Sequence, residues 1–158
     1  MSAPDSFYIL IVEDDPLVRA DLADCLEETG YVVIGEAGNK ADALATLQAT
    51  EPDLVLLDIH LEKGQEGIEI AHEINAQYLI PFIYLTALID AKTLVDVSDT
   101  LPAGFVVKPF DEGRLKAAIE IARRTYYAVL EPHWRRQDWQ LQHLSEPLTQ
   151  RESELLNL

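Results

Sequence analysis

Five short, unbroken apolar runs, each followed by a stretch with helical periodicity, constrain this chain more than anything else in it. The runs occupy residues 8–12, 31–34, 54–57, 82–85 and 105–107. They are rich in Val, Ile, Leu and aromatics, and none alternates apolar with polar residues. Such runs suit strands buried on both faces, as in a parallel sheet covered by helices. The intervening segments carry apolar residues at helical spacing. The first opens at Pro16, a favourable first helical residue, with Asp14 or Asp15 available to cap it. It aligns Val18, Leu22, Cys25 and Leu26 and stops at Gly30. The second covers residues 40–49, with Ala41, Leu44 and Leu47 on one side. The third covers 67–77 and aligns Ile68, Ala71, Ile74 and Tyr78. The fourth, 90–98, is short and weakly patterned. The fifth begins near Asp111 and carries Leu115, Ala118, Ile119 and Ala122. Strand-then-helix repeated five times predicts an α/β fold: a doubly wound, five-stranded parallel sheet with helices on both faces and right-handed crossovers.

In such sheets the functional crevice lies at the carboxyl ends of the strands, where the strand order reverses. The first run ends in Glu13-Asp14-Asp15, the third in Asp58, the fourth in Thr86-Ala87 and the fifth in Lys108-Pro109-Phe110. The second ends near Glu36-Ala37 and suggests no role. If four of these ends converge, several carboxylates, one hydroxyl and one ammonium share a cleft. Clustered carboxylates repel and need a cation to sit together. A hard divalent ion such as Mg2+ suits an all-oxygen, half-open site. An aspartate there can act as a nucleophile toward phosphorus. Lys108 and the cation would neutralise the transferring oxygens, and Thr86 would donate a hydrogen bond to the product. Each residue also has a plainer reading. Asp58 alone could be a surface acid, Glu13-Asp14 a helix cap, Lys108 a solvated lysine, Thr86 a strand former and Phe105 plain core. The plain readings do not explain why all of these stand at strand ends.

The chain resembles the receiver domain of bacterial two-component response regulators. The resemblance rests on Ile11-Val12-Glu13-Asp14-Asp15-Pro16, Leu56-Leu57-Asp58, Leu85-Thr86-Ala87 and Gly104-Phe105-Val106-Val107-Lys108-Pro109-Phe110. Asp58 lies 44 positions after Asp14, Thr86 lies 28 after Asp58, and Lys108 lies 50 after Asp58. It covers residues 7–127. It implies that Asp58 is the phospho-acceptor and that Glu13, Asp14, Asp58 and the backbone carbonyl of His60 hold Mg2+. Asp15 is then a helix cap more than a ligand. It implies that Thr86 and Phe105 form a switch pair, the hydroxyl moving toward the phosphate and the ring following. The phosphoryl donor would be a sensor histidine kinase or phosphotransfer protein. The output surface would be the fourth helix, fifth strand and fifth helix, with homodimerisation through that face the implied route. The loop Leu61-Glu62-Lys63-Gly64-Gln65-Glu66-Gly67 departs from the family pattern by lacking proline. The His60 side chain, beside the expected phosphate, is a candidate modulator of dephosphorylation. His72, His133 and His143 read as surface residues.

A net charge of −16 argues against nucleic-acid contact by these 158 residues, since phosphate contacts need Lys and Arg. There is one cysteine, Cys25, and no apolar stretch of membrane-spanning length. The start of the chain does not read as a signal peptide. A cytoplasmic protein without membrane contact is expected. We divide the chain into a receiver domain (1–127), a linker or helical extension (128–147) and a last segment (148–158). That segment opens with a capping box from Thr149 to Glu152 and is similar to the first helix of a LuxR-type helix-turn-helix domain. DNA binding is therefore expected of a longer parent, for transcription control. The chain itself reads as a signalling switch rather than a turnover enzyme. Two other classes share parts of this pattern. A Mg2+-dependent aspartyl-nucleophile phosphohydrolase places its nucleophile on the first strand, unlike Asp58. A flavodoxin-like electron carrier needs a phosphate-cradling loop where this chain carries Glu13-Asp14-Asp15.

Overall fold

All five apolar runs form strands, and all pair in parallel. In the computed structural model, which describes residues 6–62, 64–87 and 90–129, the strands are β1 (Tyr8–Val12), β2 (Val32–Ala37), β3 (Leu54–Asp58), β4 (Phe82–Thr86) and β5 (Gly104–Val107). Their order is β2-β1-β3-β4-β5. The chain leaves β1 for one neighbour, β2, and returns on its other side as β3. The order therefore reverses beside the end of β1. Register sets Val12 against Leu57 and Asp58 against Leu85, so the residues that follow β1 and end β3 lie side by side.

The helices are α1 (Pro16–Glu28), α2 (Lys40–Ala49), α3 (Glu66–Glu73), α4 (Ala91–Ser98) and α5 (Glu112–Val129). Their starts follow from local chemistry. Asp15 caps α1 by accepting from Leu17 and Val18 N–H, Asn39 caps α2 by accepting from Asp42 N–H, and Asp90 caps α4 by accepting from Thr93 N–H. Leu10, Val12, Val55, Leu57, Phe82 and Tyr84 bury one face of the sheet with Leu47, Ile68, Ile70, Ala71, Ile74 and Val97. The intervening residues Ile9, Ile11, Leu56, Ile83 and Leu85 point the other way. They are fully buried, as are Leu22 and Leu26 of α1 and Ile119 of α5. The chain divides into a compact unit, Met1–Arg123, and a second unit, Arg124–Leu158. The last part of α5 falls in the second, where the Tyr126 and Tyr127 rings meet edge to face at 5.0 Å. The expected linker and LuxR-like segment, apart from the end of α5, lie outside the described residues.

Several expectations need correction. β2 runs on to Ala37 through Gly35 and Glu36, which interrupt the apolar run in the sequence. Gly35 is there for space: a Cβ on it would come within 2.7 Å of Thr46 Cγ2 in α2. β2 and β5 are edge strands and are not buried on both faces, as Val32, Phe105 and Val107 show by their exposure. In α2 the buried positions are Ala43 and Leu47, while Ala41 faces solvent. The third helix is not one regular element. α3 gives way to a π-helical turn, Ile74–Tyr78, closed by Leu79 in the left-handed region with its N–H bonded to Ile74 O at 2.9 Å. Wider i→i+5 turns are invisible to a 3.6-residue pattern.

Among the described glycines, Gly67 has the least room for a side chain. A Cβ there would lie 2.0 Å from Asp58 O and 2.7 Å from Ile59 Cα. Only hydrogen lets α3 begin against the end of β3. Gly67→Ala is therefore expected to lower unfolding free energy in urea by about 2 kcal/mol, the usual scale for overpacking. A change under about 0.5 kcal/mol would show that the β3–α3 junction yields freely.

Candidate functional site

Each acid of the site is placed by a strand end. Glu13 follows β1, and its N–H donates to Ala37 O of β2 at 2.9 Å. Its side chain turns inward and is 1% exposed. Asp14 is the next residue and is part-buried. Asp58 ends β3, 6% exposed. Its Oδ1 accepts from His60 N–H at 3.1 Å, and its Oδ2 accepts from Lys108 Nζ at 3.1 Å. Lys108 also donates a short hydrogen bond to Glu13 Oε1. One ammonium thus bridges the ends of β1 and β3. It comes from the residue after β5, whose N–H donates to Thr86 O at 2.7 Å. The following Lys108–Pro109 bond is cis.

Glu13, Asp14 and Asp58 each offer a carboxylate oxygen, all within 4.8 Å of one another. The electrostatics reflect this crowding. Burial pushes the Glu13 carboxyl up, reinforced by the neighbouring Asp58 and opposed by Lys108. Burial and the neighbouring Glu13 push Asp14 up. For Lys108, burial works against the charge, but its bonds to Glu13 and Asp58 outweigh it and raise its pKa above the usual lysine value. The signs differ in consequence. A carboxyl raised in the fold binds protons better folded than unfolded, so Glu13 and Asp14 cost stability once pH rises above their folded values. Lys108 contributes stability up to ordinary lysine pH and loses it as pH climbs through its raised value.

One ammonium among three carboxylates leaves the cluster net negative. The donors are all hard oxygens, spaced to share one ion and open to solvent through Asp14. They fit a small divalent cation such as Mg2+ better than a soft metal, which prefers sulfur or imidazole.

The other expected residues are placed as follows. Thr86 ends β4, 3% exposed, in register with Val107 just before Lys108. The His60 main chain reaches Asp58 through its N–H, and its side chain is exposed. Asp15 caps α1 rather than joining the cluster. Phe105 is not brought into the cluster: it lies on β5, 39% exposed, stacked on Tyr84 with centroids 5.8 Å apart. His72 is exposed, and His133 and His143 lie outside the described residues. The sequence reading passed over Arg19, whose Nη1 donates to Glu13 O at 2.6 Å. It also passed over Gly67. The signal for Arg19 was available: it is the lone basic residue among positions 1–39.

Comparisons with known proteins agree with this fold. Residues 9–120 match the family described as the response regulator receiver domain. The transcriptional regulatory protein PdtaR of Mycobacterium tuberculosis is 37% identical over 114 residues, 72% of this chain and 55% of that protein. The phyllosphere-induced regulator PhyR of Methylorubrum extorquens is 31% identical over 77% of this chain and 45% of its own length. The chain spans about half the length of the curated relatives it matches. Among solved structures, the signal receiver domain of a modulated diguanylate cyclase from Desulfovibrio desulfuricans G20 aligns with a TM-score of 0.70 and 34% identity, covering 75% of this chain and 94% of that one. A LuxR-family two-component response regulator from Aurantimonas aligns with a TM-score of 0.66 and 27% identity, covering 73% and 84%.

The charge imbalance makes a two-sided prediction. In EDTA at neutral pH, Asp14→Asn should raise stability by about 0.5 kcal/mol, small because Asp14 is partly solvated and screened. In the wild type, saturating Mg2+ should add about 1.4 kcal/mol for each tenfold of concentration above Kd. Asp14→Asn should lose most of that gain. Thermal unfolding with and without Mg2+ checks both, and equal Mg2+ responses in the two proteins would contradict the cation site.

Proposed function

Because the chain belongs to the response regulator receiver family and so serves phosphorylation-dependent signalling, we propose that Asp58 is its phospho-acceptor and that a histidine kinase or phosphotransfer protein is the donor. The observation that carries this is the Lys108 ammonium bonded to both Asp58 and Glu13 at the sheet's switch point. An Asp58 carboxylate oxygen attacks phosphorus, forming the acyl phosphate as the bond to the leaving group breaks; the leaving group keeps the electron pair. Lys108, already beside Asp58, moves its hydrogen bond to a phosphoryl oxygen and offsets the charge there. Glu13, Asp14, Asp58 and the His60 carbonyl are the groups that would hold Mg2+, which when bound supplies further neutralisation of the phosphoryl oxygens.

Phosphorylation adds charge and acceptor oxygens next to the Thr86 strand end. In this reading the Thr86 hydroxyl bonds the phosphoryl group, and Phe105 turns inward from its half-exposed place over Tyr84. The output face is α4, β5 and α5, used for homodimerisation. Support comes from the apolar side chains this face leaves exposed: Leu94, Val95, Leu101, Phe105 and Val107. Readout beyond the receiver is proposed to be transcription control by an output domain beginning near residue 148. The LuxR-family response regulator among the similar structures supports that reading. In this reading the acidic receiver, with a net charge of −16 for the chain, is not the part that contacts DNA. No described helix is long and apolar enough to cross a membrane. A cytoplasmic location away from the membrane is part of the same reading.

The test is labelling by a small phosphodonor such as acetyl phosphate, with and without Mg2+, followed by intact mass. Wild type should reach one phosphoryl group per chain and stop, and Asp58→Asn should take up none. Lys108→Ala should label roughly 10²-fold more slowly, the cost of removing one charge-stabilising donor. Continued turnover of the phosphodonor far beyond one equivalent would instead indicate a phosphohydrolase.

A further inference from the structure

Arg19 stands alone as a cation in a stretch that carries nine Asp and Glu residues among positions 1–39. It lies in α1, one turn past the cap, and its side chain turns back toward the site. Nη1 donates to the Glu13 carbonyl at 2.6 Å, and Nε lies 3.6 Å from Glu36 Oε1 on β2. Gly38 makes room for it. A Cβ on Gly38 would stand 3.0 Å from Arg19 Nη1, and 3.8 Å from both Asp14 Cα and Glu13 O. The guanidinium thus fills the gap between Gly38 and the Glu13–Asp14 peptide.

That peptide is the hinge of the acid cluster. Its carbonyl belongs to Glu13, and the same rigid plane carries Asp14 Cα. The Glu13 N–H is already tied to Ala37 O. With Arg19 on the carbonyl, Glu13 is held at both main-chain groups. The direction in which the Asp14 carboxylate leaves the chain is then set.

We propose that Arg19 is a positioning residue for the cation. Its bond within the cluster is to the Glu13 main-chain carbonyl, not to the carboxylate oxygens of Glu13, Asp14 or Asp58. By fixing the Glu13–Asp14 peptide plane it holds Asp14 in range of Glu13 and Asp58, and Glu36 and Gly38 hold the guanidinium in place. The inference rests on reading Glu13, Asp14 and Asp58 as the cation site. Long-range charge gives the opposite sign: a guanidinium near a bound cation repels it, so its removal would tighten binding. Positioning requires that removal weaken binding, as loss of outer partners does at metal sites.

Mn2+ binding to the full 158-residue chain, read by the EPR signal of free Mn2+, separates these outcomes without any phosphoryl chemistry. Wild type, Asp14→Asn, Arg19→Met and Gly38→Ala would be titrated, each checked for cooperative thermal unfolding in EDTA. Arg19→Met is expected to weaken Mn2+ binding roughly 10-fold. Gly38→Ala, which displaces the guanidinium without removing it, should show a smaller loss in the same direction. Equal or tighter binding by Arg19→Met overturns the inference. If Arg19→Met does not fold, unchanged affinity in Gly38→Ala overturns it. Wild type binding no better than Asp14→Asn would mean that the cation-site reading itself has failed, whatever Arg19 does.

Discussion

Lys108 reaches from the end of β5 across β4 and places one ammonium between the carboxylates of Glu13 and Asp58. The rest of the site depends on that bridge. Glu13 is almost fully buried, and an unpaired buried carboxylate is costly. Without a counter-cation the end of β1 would not stay turned inward beside β3. Parallel pairing with β1 and β3 as neighbours supplies the proximity, and the bridge makes it tolerable. It leaves an excess of negative charge, which a small divalent ion is suited to offset.

This arrangement trades stability for readiness. Burial pushes both Glu13 and Asp14 upward, reinforced by Asp58 at Glu13 and by Glu13 at Asp14, so at neutral pH these two carboxylates are held in a less favourable charge state than in the unfolded chain. The sheet tolerates this because the rest of the core is well filled: Ile9, Leu10, Ile11, Leu56 and Leu57 are fully buried around the same strand ends. The main chain at the site is tightly specified. Gly67 packs on the Asp58 carbonyl, Ala37 and Arg19 hold Glu13, and Thr86 O holds Lys108 N–H. The rigid part is the scaffold under the acids. The half-exposed Phe105 lies instead on the edge strand β5.

Much of this was legible before any coordinates. Buried parallel strands declare themselves as continuous apolar runs, which is why β1, β3 and β4 were placed to within a residue. The switch-point rule then pointed to the residues after those runs, and Glu13, Asp14, Asp58 and Lys108 do converge. The misses have physical causes. β2 was cut short because an edge strand can carry Gly35 and Glu36. The π-helical turn at Ile74–Tyr78 escaped because its period differs from that of an α-helix. Arg19 was overlooked because it acts on a main-chain carbonyl, and motif reading looks for side chains that meet. Gly67 is a matter of a missing Cβ beside a backbone oxygen, which no spacing rule reveals.

The central claim is that these acids form one cation site rather than part of a diffusely acidic surface, and α1 offers a rival in Asp21, Asp24, Glu27 and Glu28. Paramagnetic broadening of backbone amide signals by substoichiometric Mn2+ decides between them. The account predicts broadening centred on Glu13, Asp14, Asp58, Ile59 and His60, with amides near Glu27 and Glu28 much less affected. Broadening strongest along α1, or spread evenly over the acidic surface, would contradict it.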